Sequence, residues 1–492
     1  MKHKILYITI LISIIYSHNA NAQFPQDIPY QSIQAPNLTL PNYLDSIIDT
    51  SVPVEMLIER ITQYNPTWNW YPVHDYAKIQ PWNADASIYK FSAVAIYDAN
   101  THQKIRNLPG GQIYPCYWSN TNPDLMYSFR ESGYIRTYSV SLDTVIDMNT
   151  SIQGYNIVKL GPGEGNIDNH DKYVALIGKR GSDMDVIIFD LQLNQIVHID
   201  TFAGAWGNSN DAPDYIDWVS VSQSGNYVGI MWNHNTTSQT NPFNGHYGVE
   251  IYNTTDMQYL RRIAAYGNHG DFGYAQDGNE VFVQFWGQSG TLNMYYLNGN
   301  GRVVLSTNSD FNSEGHVSCR NINRPGYAYV SQDYQNHSGQ IIAFKLDSSG
   351  LVEHFGHHFS TSSSYLKSPM PVPTPNGDKV MFKSDFGDTT AVVIYVFETK
   401  VNNNTTNVNT ITNKEQEIII YPNPVSNIIH IKSEKLIKNI TIYNSLGQTV
   451  KKMAMVNKNV KDIDVSDLTK GTYFINVKIS NNFINNTIIK IK

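Results

Sequence analysis

The sequence predicts an all-β protein: a long first part built from seven four-stranded units, then a small C-terminal β-sandwich. Three observations predict it. A tight turn followed by a strongly β segment recurs seven times. The recurrences are nearly evenly spaced. Residues 417–492 alternate apolar and polar positions in short runs.

The recurring turns are Asn83-Ala84-Asp85, Asn120-Thr121-Asn122-Pro123, Asn169-His170-Asp171, Gln223-Ser224-Gly225, Gln276-Asp277-Gly278, Arg324-Pro325-Gly326 and Pro375-Asn376-Gly377. The segments that follow read IYKF, LMYSF, YVALIG, YVGIMW, VFVQFW, YAYVS and VMFKS. Their aromatic and β-branched residues suit pleated, half-buried strands. Counted between Asp85, Pro123, Asp171, Gly225, Gly278, Gly326 and Gly377, the intervals are 38, 48, 54, 53, 48 and 51 residues. A period of roughly 40–50 residues per four-stranded unit is that of the blades of a β-propeller, and seven markers give a seven-bladed β-propeller. Two packed sandwiches would leave the repeated phrase unexplained.

Gln223-Ser224-Gly225-Asn226-Tyr227 and Pro375-Asn376-Gly377-Asp378-Lys379 resemble the turn of TolB-like and other WD-type propellers, a likeness that implies architecture alone. The ring is expected over residues 70–400, preceded by an N-terminal extension, 23–69. Within that extension Pro53 to Thr62 is expected as a short helix, with Pro53 near its start and Glu55 in its first turn.

Both ends carry addresses. Lys2 and Lys4 precede a twelve-residue apolar run, Ile5 to Tyr16, and Ala20-Asn21-Ala22 then offers small residues for cleavage. Residues 1–22 therefore read as a secretory signal peptide. Twelve residues are too few to cross about 30 Å of hydrocarbon as a helix, and no transmembrane segment is expected elsewhere. Residues 401–416 form an Asn/Thr-rich linker with too few bulky side chains to make a core. Beyond it stand Tyr421-Pro422-Asn423-Pro424-Val425, Ile442 to Gly447, Leu468 to Tyr473 with Gly471, and Ile489 to Lys492 with Lys490. This series resembles the type A sorting domain of Bacteroidetes type IX secretion cargo. The resemblance implies a β-sandwich at 417–492, the type IX machinery as a partner, and a protein secreted or attached to the outer-membrane surface. In that family the domain is an export address, usually removed on arrival.

The chain has 35 basic and 42 acidic residues. Without the signal and the lysine-rich tail, 21 basic face 36 acidic residues. Such an acidic excess disfavours nucleic acid as a partner. The two cysteines, Cys116 and Cys319, belong to units across the ring and are expected as free thiols.

Chemistry is expected where the segments leading into each unit's first strand reach one face. These segments supply Lys78, Gln80 and Trp82; Tyr117 and Trp118; Glu164 and Asn166; Asp217 and Trp218; His269 and Asp271; and His316 to Arg320. Trp118, Glu164, Asp217 and Trp218 are the expected ligand contacts. His269, Asp271, His316 and Cys319 carry nitrogen, oxygen and sulfur donors suited to tetrahedral zinc. The alternative is that Cys319 is a small core residue and the histidines satisfy backbone groups. A long loop, Asn233 to His246, brings His234 and His246 to the same face beside Tyr247.

A secreted propeller binding a glycan or protein ligand follows from these features. Propeller polysaccharide lyases acting on uronic-acid glycans resemble it in architecture, which makes His246, Tyr247 and Arg320 the catalytic candidates: histidine as base, tyrosine as acid, arginine against the uronate. A structural surface component is the third reading. No phosphate loop, serine elbow or HExxH motif occurs.

Overall fold

The computed structural model describes residues 24–63, 72–92, 94–161, 164–232, 243–286, 291–307, 315–332, 339–361, 364–387, 392–399, 418–421, 425–444, 448–453, 458–479 and 482–490. The chain divides into two compact units, Met1–Val401 and Asn402–Lys492. The signal-peptide and linker readings lie outside the described residues, as do Pro422, Asn423, Pro424, Gly447 and Lys492.

Among the described residues the first unit is all β, with seven antiparallel sheets and a few single 3-10 turns. The first sheet, 88–107, has three strands and gains a bridge between Trp82 and Tyr89. The second to fifth sheets, 116–151, 157–202, 216–264 and 270–306, have four strands each. The sixth, 317–357, takes a fifth strand from Ile28–Pro29, and the seventh, 372–399, takes two from Ser46–Asp49 and Met56–Arg60. Within each sheet the local strands follow chain order from one edge to the other, as simple meanders.

The recurring turns join the first and second strands. In the fourth sheet Gly225 donates its N–H to Ser222 O at 3.0 Å, and in the seventh Gly377 donates to Thr374 O at 2.8 Å. Both glycines sit at positive φ, 77° and 73°, where a Cβ is costly. That backbone demand is why the same phrase recurs.

Strand side chains alternate between faces, so every sheet has two apolar surfaces to cover. In the fourth sheet Val219, Val221, Val228 and Ile230 pack with the third, whereas Trp218, Met231, Val249 and Ile251 pack with the fifth. The same holds throughout. Separate buried clusters join first to second sheet, second to third, third to fourth, fourth to fifth, fifth to sixth and sixth to seventh. The last returns from seventh to first, where Met381, Ile394 and Val396 meet Trp82, Tyr89 and Phe91. The succession of cores is closed.

Polar groups tie the same neighbours together. Asp171 of the third sheet accepts from Ser119 Oγ, Asn120 N and Thr121 of the second. Gln223 donates to Phe272 O at 2.8 Å and Cys319 O at 2.7 Å, spanning fourth, fifth and sixth sheets. His102 of the first sheet's last hairpin meets Glu59 of the seventh at 3.1 Å.

The expected helix at Pro53 to Thr62 is not formed. Met56–Arg60 is a strand, paired along Tyr395–Thr399, with Met56 and Ile58 fully buried. Alternate burial within a sheet outweighs the weak helix-start signals of Pro53 and Glu55. The segment expected merely to precede the ring thus supplies strands to its closing sheet.

In the second unit Ile428–Tyr443 is one continuous strand. Its first half lies between Ile418–Tyr421 and Lys458–Asp464, and its second half pairs with Thr449–Met453 and Gly471–Ile479. Ile429, Ile431, Ile440 and Ile442 share one core with Ile463, Tyr473 and Val477. Tyr421 ends its strand opposite His430, Gly471 opens its strand opposite Lys490, and the Tyr473 hydroxyl donates to Thr469 O at 2.9 Å.

If the Met56–Arg60 strand holds the closing sheet, Ile58→Ala should lower unfolding stability by about 2–5 kcal/mol in denaturant titration. An exposed apolar residue such as Leu193 should tolerate alanine within about 0.5 kcal/mol.

Candidate functional site

Six sheets contribute to one polar cluster, most of them from segments ahead of their first strands, the third from just after Ile157–Leu160 and the fourth from within Ile216–Val221. Lys78, ahead of the first sheet, is buried and places Nζ 2.7 Å from Glu164 of the third. The same ammonium lies 4.4 Å from the ring centroid of Trp218 in the fourth, a cation–π contact. Tyr76 Oη stands 2.6 Å from His269 Nδ1 of the fifth sheet's lead-in. The imidazoles of His269 and His316, the latter from the sixth, are 4.8 Å apart by centroid. His316 also meets the edges of Tyr76 and of Tyr365, which precedes the seventh sheet.

The electrostatics follow from burial. The Tyr76 phenol is held far above its ordinary range, first by burial and then by the nearby charge of Glu164. It therefore keeps its proton, and it shares a hydrogen bond with His269 Nδ1 whose direction is set by the imidazole tautomer. Burial and the Glu164 charge push the Asp217 carboxyl up to about 6, against the opposing pull of Lys78. His74, which meets Met370 O through Nε2 at 2.7 Å, is driven down to about 3 by burial and Lys383. His74 is a neutral structural group, whereas Asp217 changes charge in mildly acidic solution.

Of the expected ligand contacts, Glu164 and Asp217 belong to this cluster. Trp218 reaches it only as a buried ring beneath Lys78, 1% exposed. Trp118 does not belong: it is buried between first and second sheets and donates Nε1–H to Pro81 O at 2.8 Å.

The expected zinc tetrad does not converge. His269 and His316 are neighbours, but Asp271 faces Arg320 in a two-pronged ion pair, both contacts at 2.9 Å, and accepts Cys319 N–H at 2.8 Å. The Cys319 side chain packs in the core between fifth and sixth sheets, close against Gly273. Burial and the Asp271 charge hold its thiol well above its usual range, the wrong direction for a metal-binding thiolate. Among the described residues no group of three or more His, Cys, Asp or Glu is placed to hold a metal. Cys116 and Cys319 are both free and buried.

The expected catalytic trio is likewise corrected. Arg320, 4% exposed, is committed to Asp271 and is no uronate clamp. His246 meets Glu250 at 2.7 Å and stacks on Trp232 at 4.4 Å. Tyr247 lies under the Arg262 guanidinium at 3.4 Å. These contacts belong to the fourth sheet and its border with the third, and His234 falls outside the described residues.

Tyr76 and Tyr365 were missed. Tyr76 stands two residues before Lys78 in a turn closed by Ile79 N–H to Tyr76 O at 2.9 Å, which no strand pattern in the sequence marks. Tyr365 occupies the single 3-10 turn Tyr365–Lys367, which carries no strand signal.

Residues 419–492 match the family model described as a secretion system C-terminal sorting domain. This is a type IX secreted protein, and its tail implies a cell-surface or extracellular destination and contact with the type IX machinery. The beta-agarase A of Zobellia galactanivorans is 40% identical over 60 residues, 12% of this chain and 11% of that protein. A chain in the crystal structure of the mitotic checkpoint complex aligns with 75% of this chain and 98% of its own length, at 10% identity and a TM-score of 0.41. No helix among the described residues is long and apolar enough to cross a membrane.

For Asp217 a folded-state pKa near 6, above the ordinary 3.8, means the fold binds the proton more tightly than the unfolded chain does. The group's stabilising contribution is complete below 3.8 and is lost as pH rises through about 6. Carboxyl carbon NMR should show Asp217 titrating near pH 6, and Glu164→Gln should move that midpoint down. In Asp217→Asn the fall in stability over this window should shrink.

Proposed function

We propose that the first unit is a seven-bladed β-propeller that binds a glycan on one face once type IX export has delivered it outside the cell. Seven meander sheets with a closed succession of shared cores support the architecture. The observation that carries the binding reading is the convergence of Lys78, Glu164, Asp217, His269 and His316 with Tyr76 and Tyr365. Phenols, imidazoles and the Asp217 carboxyl supply donors and acceptors for sugar hydroxyls, and the tyrosine rings supply apolar faces. The similarity to a protein named a beta-agarase agrees with a glycan-related role, although the aligned stretch spans about a tenth of that relative.

One arrangement favours a second reading, elimination on a uronic-acid glycan. Such chemistry needs a base for the C5 proton and an acid for the leaving oxygen. Tyr76 and His269, joined at 2.6 Å beside His316, are of those types. In this reading they take the places first assigned to His246 and Tyr247.

The purified protein, screened against neutral and uronate-containing polysaccharides, should bind at least one, and His269→Ala should weaken that binding about tenfold or more. Growth of the ultraviolet absorbance of an unsaturated uronate would select the lyase reading; binding without it would select the binding module. Retention of neither would leave the structural-component reading.

Removal of residues 417–492 should stop delivery to the surface and leave the protein in the periplasm. Fractionation and immunodetection check this, and normal surface display of the shortened chain would contradict it.

A further inference from the structure

A cavity of about 230 Å³ lies where the first three sheets meet, lined by Asp75, Ser92, Tyr114, Tyr117, Glu131 and Lys159 among others. We infer that it is a subsite for a single neutral sugar ring, adjoining the central cluster; the ligand class rests on the glycan-binding reading. Size is the first argument. The cavity falls below the roughly 300–1,000 Å³ typical of drug-sized ligands, so it admits one ring rather than a chain.

Charge is the second argument. Asp75 Oδ2 is held by Lys90 Nζ at 2.6 Å, and the Lys90 side chain is fully buried. Glu131 Oε1 is held by Lys159 Nζ at 2.9 Å, while the same ammonium donates to Asp211 O at 2.6 Å. Each carboxylate thus has a lysine to match its charge. An ionised carboxylate offers about four acceptor positions, so neither is exhausted by its lysine. The wall presents acceptors for hydroxyl donors with no net charge. A uronate would bring a third carboxylate against Asp75 and Glu131, and a phosphate would fare worse. Neutral hydroxyls fit.

Shape is the third. Tyr114, 62% exposed, lines the pocket, with Tyr117, Phe129 and Leu160 as its apolar wall. An aromatic face beside carboxylate acceptors matches a pyranose, which has an apolar C–H face and a rim of hydroxyls. The Cys116 thiol in the lining is pushed up to about 11, mainly by burial, and stays protonated. It supplies no nucleophile or metal ligand.

Position is the fourth. Asp75 lines the pocket, and Tyr76, the next residue, reaches His269. Consecutive Cα atoms are about 3.8 Å apart, so the two sites adjoin through one backbone step.

The test uses the mature full chain, calorimetric titration, and two probes, agarotetraose and tetragalacturonate. Tyr114→Ala and Glu131→Gln are compared with His269→Ala, and circular dichroism verifies that each variant is folded. The subsite predicts agarotetraose binding that weakens about tenfold in Tyr114→Ala and also falls in Glu131→Gln. Unchanged affinity in both, with loss in His269→Ala, overturns the subsite and leaves the central reading standing. Loss in the pocket variants with none in His269→Ala keeps the subsite and removes the central site. Binding of tetragalacturonate alone overturns the neutral-sugar assignment, and binding of neither probe by the native protein overturns the subsite.

Discussion

Every sheet of the first unit has two apolar faces, and no sheet can bury both by itself. That constraint organises the molecule. Burying a Val, Ile or Phe side chain stabilises by about 1.5–3 kcal/mol, and each sheet contributes such side chains on both sides. A succession of sheets covers all faces without a terminal cap only if the last meets the first. Here Met381, Ile394 and Val396 meet Trp82, Tyr89 and Phe91, and the succession closes. The N-terminal strands Ser46–Asp49 and Met56–Arg60 extend the same closing sheet, so chain segments more than 300 residues apart are locked in one ladder.

The candidate site is a consequence of that closure. Most of its side chains come from short irregular segments, and Asp217 from the strand Ile216–Val221. Fixed by strands on either side, these elements present Lys78, Glu164, Asp217, His269 and His316 to one another. Buried charges in this frame are matched in pairs, as with Asp271 and Arg320, because an unmatched buried charge would be costly to fold. In that pair both guanidinium contacts are used and both side chains are buried, so neither faces a ligand. Asp217 is the contrast, since its carboxyl is pushed toward neutrality.

Much of this was legible in the sequence, for identifiable reasons. Turns that require positive φ impose glycine, so Gly225, Gly278, Gly326 and Gly377 marked the repeats. Residues a few positions ahead of the recurring turns supplied five members of the cluster. Offset does not fix orientation, however. A one-residue difference sends Cys319 into a core and Arg320 onto Asp271, and no local pattern in His316-Val317-Ser318-Cys319-Arg320 reports which way each side chain turns. The Met56–Arg60 strand was hidden because its partner, Val393–Thr399, is distant in sequence. In the tail, by contrast, the motifs are local, and they were read directly from Tyr421 to Lys492.

Closure of the sheets is proposed to create one glycan-binding face. A crystal structure of the mature protein soaked with a bound oligosaccharide tests it most directly. Sugar density is expected against Tyr76, Asp217 and His269, with the seven sheets in the order described. Sugar seated only on outer strands, or sheets packed in two layers without the seventh meeting the first, would contradict it.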